Sequence, residues 1–187
     1  MKIDPTITWK AVEEAWEKET RPRQKQILGE VRDHMKTEVC GELDLLMDTL
    51  TAEPIYHTYG MGPSFGPKGY DEVRAFYEGL IASGGTLFAF DVKRIFADEN
   101  GVITEGILRN CYGGEAVAAM GITEVNGEPV DTSAKYGSEI PLLTVWPADE
   151  AGKLIGEDIY FGGNTFENLT KLTPDEEPQP IAYADVK

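Results

Sequence analysis

The chain has 187 residues, of which 41% are hydrophobic and 27% charged, a composition that suits one folded domain with a core of its own. Its formal net charge of −16 repels phosphate backbones and anionic headgroups, which argues against a nucleic-acid or membrane partner. No apolar run approaches the ~20 residues of a membrane span, and Cys40 and Cys111, far apart, read as two reduced thiols rather than a disulfide framework.

The opening MKIDPTITWK has no apolar signal core, so cytoplasmic residence is the expectation. Residues 6–20 place Trp9, Val12 and Trp16 on one helical stripe. Pro22 suits the first turn of a second helix, along which Ile27, Leu28, Val31, Met35 and Val39 share a face and which Gly41 ends. ELDLLMDTL reads as a short third helix with Leu43, Leu46, Met47 and Leu50 inward, stopped by Pro54. IYHTY is then a strand, with Ile55, His57 and Tyr59 on one face and Tyr56 and Thr58 on the other. The Gly/Pro stretch GMGPSFGPKG reads as a flap or entrance loop. YDEVRAFYEGLIASGG is a helix with Val73, Phe76 and Leu80 inward, ended by Gly84 and Gly85.

The rest is β. TLFAFDVKRIFA and VITEGILRNCY flank the turn DENG, AVAAMGITE leads to the Asn-Gly turn of VNGEPV, and IPLLTVW and KLIGEDIYF flank PADEAG. Residues 173–187 form an acidic, proline-rich tail expected to be exposed or to lie on a partner. Helices first and a strand meander after make an α+β layer fold of one domain, residues 1–172, and a strongly curved sheet would leave a pocket against the helices.

GELDLLMDTLTAEPIYHTYG followed by GYDEVRAFYEGL, with Gly69, Val73, Arg74, Phe76 and Tyr77, resembles the opening of the NTF2-like, or SnoaL-like, cone fold. AGKLIGEDIYFGG, with Gly152 to Ile155, Glu157, Tyr160 and Phe161, resembles its last strand. The resemblance spans roughly residues 25–165; the helix over 6–20 and the tail are additions. It implies a cone-shaped, strongly curved antiparallel sheet wrapped around the N-terminal helices, with an apolar cavity and a few ionisable groups near its floor. The superfamily includes ketosteroid isomerases, limonene-epoxide-hydrolase-like enzymes, polyketide cyclases, cofactor-free lyases and noncatalytic modules, so fold does not fix function.

Aligned through the following loop and helix, the position of the isomerase-like members' catalytic carboxylate falls on His57, an imidazole suited to proton transfer near neutral pH. The alternative is a packed histidine with both nitrogens satisfied. His34, beside the Val31/Met35 stripe, points to the same cavity or to solvent. On the last strand Glu157 shares a face with Ile159 and Phe161, which lines the pocket in the cone fold; it serves there as an acid or base, or pairs with Arg109 or Lys93 across the sheet. Arg109 stands where hydrolase-like members carry an arginine, although Cys111 replaces the aspartate of their Arg-x-Asp pairing, and Glu105 is its even-spaced partner. Tyr59 is the phenol chosen to meet a developing oxyanion, Trp146 a wall and Phe65 a flap. Zinc spacing, a phosphate loop and a dinucleotide fingerprint are all missing from the sequence, so no metal or cofactor is expected.

The expectation is thus a cofactor-independent lyase, eliminating water or a small aldehyde, or an isomerase, acting on an aromatic or polycyclic hydrophobic molecule that is uncharged or weakly acidic. An epoxide or ester hydrolase would instead need a carboxylate–arginine–carboxylate cluster around Arg109. A noncatalytic binding or dimerisation module would have a filled cone and His57 in a closed hydrogen-bond network. By resemblance, a homodimer or higher homo-oligomer formed through the outer sheet face is expected.

Overall fold

The computed structural model describes residues 1–60 and 65–186. A 3-10 turn at Pro5–Ile7 precedes helices α1 (Lys10–Lys18), α2 (Pro22–Cys40) and α3 (Leu43–Met47). Strand β1 (Leu50–Tyr59) and helix α4 (Tyr70–Ala82) follow, then β2 (Ala89–Ala97) and β3 (Gly101–Gly113). A short helix α5 (Gly114–Ala119) and a two-stranded ribbon, β4 (Glu124–Val125) and β5 (Glu128–Pro129), lead to β6 (Lys135–Pro147), β7 (Leu154–Phe161) and β8 (Thr170–Lys171).

The main sheet has the order β1-β7-β6-β3-β2, with β8 also on β6. Its ladders are antiparallel except that β1 runs parallel to β7, a pairing across about a hundred residues that no local turn announces. Over residues 101–108 of β3 and 138–147 of β6, buried residues alternate with more exposed ones, so one sheet face is the core face. Helices α1 and α2 lie on it: Val12, Ile27, Leu28, Val31, Met35 and Val39 pack with Phe90, Val102, Leu108, Ile140, Leu142 and Trp146. Gly41 ends α2 in the left-handed conformation at φ 72°, donating back to Glu38 and Thr37 carbonyls.

Three local expectations are corrected. Helix α3 stops at Met47, and Leu50 and Pro54 belong to β1. Pro54 is tolerated because β1 is an edge strand whose register to β7 is interrupted between Leu50 and Ile55; its carbonyl accepts from Gly69 N–H at 2.8 Å. The inward residues of α4 are Val73 and Tyr77, with Leu80 packed beside them as expected, whereas Phe76 is 42% exposed at the rim. Residues 114–119 are helix, as their alanine content permits. The tail is largely exposed, as expected, yet touches its own chain: the N-terminal amine pairs with Glu176, Lys135 with Glu177 at 3.2 Å, and Ile181 and Val186 rest on the main core. Among the described residues no helix is long and apolar enough to cross a membrane.

Candidate active site

Between α2, α4 and the core face of the sheet lies a cavity of about 200 Å³. Its walls are apolar, formed by Met35, Leu80, Phe88, Phe90, Leu142 and Ile159 among others, with Phe76, Trp146 and Phe161 adding rings. Half-exposed Phe76, Leu80, Gly85 and Phe88 mark the side open to solvent. Into this space α2 brings Glu38, β1 brings Tyr56, α4 brings Tyr77, β3 brings Asn110 and β7 brings Glu157.

Behind the phenols sits His34, fully buried. Its Nδ1 lies 2.7 Å from Thr49 Oγ1, and Thr49 donates its single hydroxyl proton to the Leu46 carbonyl at 2.6 Å. The threonine therefore accepts, and Nδ1 carries a hydrogen. His34 Nε2 then faces Glu157 Oε1 at 3.2 Å, Tyr77 Oη at 3.0 Å and Tyr56 Oη at 3.4 Å. Tyr77 donates to Glu157 at 3.1 Å or to Tyr56 at 3.2 Å. A bare Nε2 lone pair opposite a carboxylate oxygen is repulsive; donation from the Tyr77 or Tyr56 hydroxyl, or a proton between His34 and Glu157, relieves it. Burial, reinforced by the charge of Glu157, pushes both tyrosine hydroxyls well above their usual range, so they remain donors. Burial and the nearby Glu157 likewise push the Glu38 carboxyl well above its usual range, which favours its protonated form. The Asn110 side-chain nitrogen is buried without a partner among the described residues.

Of the residues singled out in the sequence, Glu157, Trp146 and Phe161 line the cavity and His34 backs it. Trp146 is fixed by donation from Nε1 to Thr104 at 2.9 Å. The expected facing of β1 is corrected. Its alternation holds, but Tyr56, 1% exposed, is the inward residue, and His57 and Tyr59 lie on the opposite face. The large ring of Tyr56 buries more apolar area than an imidazole, and its hydroxyl finds partners inside. His57 instead meets Asp158, its register partner on β7, with Nδ1 2.7 Å from Oδ1, while Tyr59 stacks on Tyr160 at 4.6 Å.

Arg109 is also on the outer face, bonded to Glu139 at 2.7 Å and to Asp91 at 3.4 Å. A carboxylate–arginine–carboxylate cluster thus exists, but turned away from the cavity. Glu105 pairs with Arg94, not Arg109, because Arg94 is its register partner on β2. Phe65 is 60% exposed, bridged to Thr58 at the strand edge and outside the cavity wall; Met61, Gly62, Pro63 and Ser64 of the expected flap lie outside the described residues. Among the described residues no cluster of three metal-ligating side chains occurs.

Three groups went unread in the sequence. Glu38 stands four residues after His34 and three after Met35, on the same helical face, and that spacing was the available signal. Tyr77 follows Val73 by four in the same way. Thr49, which fixes the imidazole, carries no sequence mark.

No family model and no curated protein matches the chain. Solved structures do. A candidate SnoaL-like polyketide cyclase from Shewanella putrefaciens superposes with a TM-score of 0.58 at 13% identity, covering 81% of this chain and 87% of its own. Another candidate SnoaL-like polyketide cyclase, from Shewanella denitrificans, gives 0.54 at 16% identity over 75% and 91%. An NTF2-like protein of unknown function from Mesorhizobium loti gives 0.54 at 11% identity over 78% and 98%. At such identities the likeness is one of fold, and the element order, the curved sheet and its helical cover agree with it: the chain has the NTF2-like fold of the SnoaL-like proteins.

Proposed function

We propose that the chain is a cofactor-independent general acid–base enzyme, a lyase or an isomerase, working on a hydrophobic small molecule held in the cavity. The observation that carries this reading is the His34–Glu157 contact at 3.2 Å, flanked by two phenols, at the wall of an otherwise apolar space. A proton removed from a substrate carbon goes to Glu157 Oε1, with His34 holding or returning it. The same proton then moves to a leaving group or to a neighbouring carbon. Tyr56 and Tyr77 donate to the negative charge that develops on the substrate. Glu38 and the amide of Asn110 meet the substrate's polar atoms, and Trp146 and Phe161 hold its rings.

Screening hydrophobic aromatic compounds for thermal stabilisation and turnover supplies the assay. Glu157→Gln is then expected to lower kcat by roughly 10²–10⁴-fold with little change in ligand Kd. Unchanged turnover in that variant would remove Glu157 from the mechanism.

Pairing into a homodimer or larger assembly through the outer sheet face is part of the proposal. Phe96 at 61% exposure, Tyr160 at 42% and Ile55 at 40% support it. Residence in the cytoplasm, where free thiols such as Cys40 and Cys111 stay reduced, belongs to the same reading.

A further inference from the structure

We infer that the cavity takes a hydrophobic ligand bearing one positive charge, a protonated amine on one or two rings, with the Glu38 carboxylate as its counter-ion. The inference rests on the reading of the cavity as a substrate site and narrows the class of substrate. Two carboxyl groups face the space, and among the described residues no lysine, arginine or histidine stands in its wall. The nearest lysine on α2, Lys36, is turned away to Glu13 at 3.1 Å and to the Trp9 ring at 5.5 Å. Glu157 has Tyr77 and His34 as partners. The Glu38 carboxyl has no hydrogen bond or ion pair among the described residues.

A half-buried carboxyl group that faces an apolar cavity without a protein partner is open to a ligand, and a cation is the partner that suits it. The rings around it, those of Tyr56, Phe76, Tyr77, Phe88, Phe90 and Trp146, attract a cation through their faces. An acidic ligand would meet two acids and no cation. A neutral hydrocarbon fits but leaves Glu38 unpaired. The volume of about 200 Å³ suits a small ring system, since a dry cavity of about 150 Å³ holds benzene.

The groups facing Glu38 are Tyr56 from β1, Tyr77 from α4 and Glu157 from β7, with His34 behind them on its own helix. Among the described residues none of these is a free cation, so the ligand supplies the opposite charge. When an ammonium enters, Glu38 ionises and its proton leaves to solvent. The amine keeps its own proton, and the bound pair is neutral overall.

Calorimetric titration with three probes of similar shape tests this: N,N-dimethylbenzylamine, its hydrocarbon isostere isobutylbenzene, and phenylacetate. At neutral pH the amine is expected to bind at least about tenfold more tightly than the hydrocarbon, and phenylacetate not at all. In buffers of different ionisation heat the amine should release about one proton per molecule bound and the hydrocarbon none. Glu38→Gln should bring the amine down to the hydrocarbon's affinity and abolish the proton release, while continued isobutylbenzene binding reports an intact cavity. Equal affinity of amine and hydrocarbon in the unaltered chain, an amine preference that survives in Glu38→Gln, or binding of none of the three overturns the inference. These titrations read affinity without turnover, so a cavity that binds the hydrocarbon and ignores the charge sinks the ligand class and leaves the acid–base reading to its own kinetic test.

Discussion

Glu38 carries the clearest residue-scale cost in the molecule. Burial and the neighbouring Glu157 raise its carboxyl above the ordinary value of 4.5, whereas the unfolded chain ionises at that value. Below about pH 4.5 both states hold the proton and no penalty arises. As pH rises from there toward the folded value, the unfolded state alone sheds the proton, and the folded state loses ground. Glu38→Gln should therefore be more stable than the unaltered apo protein at pH 8 and close to it at pH 4, read as urea midpoints at the two values. A gap that stays constant with pH would show that Glu38 is not held neutral. The sequence signalled this residue only through its spacing from His34 and Met35. Tyr56 and His57 were harder still: alternation separates them, yet with a ring on each face it does not say which face is dry. That information sits on the partner elements, in Thr49, Tyr77 and Asp158.

At the scale of elements, the placement of Glu157 depends on how β1 joins β7. Gly156 immediately precedes it at φ 147°, and an added Cβ would stand 1.9 Å from the Ile55 carbonyl. Backbone, not a flexible side chain, fills that space, so Gly156→Ala must push the two strands apart. A loss of about 3 kcal/mol in unfolding free energy is expected, with Tyr56 and Glu157 separated as a consequence; a melting temperature within a degree of the unaltered chain would contradict this. Helix α2 was legible to the residue, because Pro22 and Gly41 bracket an unbroken apolar stripe. The β2–β3 and β6–β7 hairpins were legible from DENG and PADEAG, and Asn126 at φ 54° with Gly127 at φ 84° confirms the Asn-Gly turn. The parallel β1–β7 ladder, the six-residue α5 and the two-residue β8 were not. The first joins distant segments, and the other two are too short for periodicity to speak.

The whole molecule presents two sheet faces with different chemistry. The inner face holds the cavity and the His34–Glu157 contact. The outer face carries ion pairs such as Arg109–Glu139 and Arg94–Glu105, beside exposed Phe96 and Tyr160. Sedimentation velocity should give at least a dimer mass, and Phe96→Asp should reduce it toward the monomer; a monomer at all concentrations would remove the pairing proposal. Fold class was readable from element order and two short motifs. The tail was not, because its acidic, proline-rich composition says nothing of the N-terminal amine waiting at Glu176. The account turns on which face does the chemistry, and kcat measured side by side for Glu157→Gln and His57→Gln decides it. Activity should fall roughly 10²–10⁴-fold in the first and stay within about twofold in the second; a turnover that survives loss of Glu157 but vanishes with His57 would put the reaction on the outer face and contradict the account.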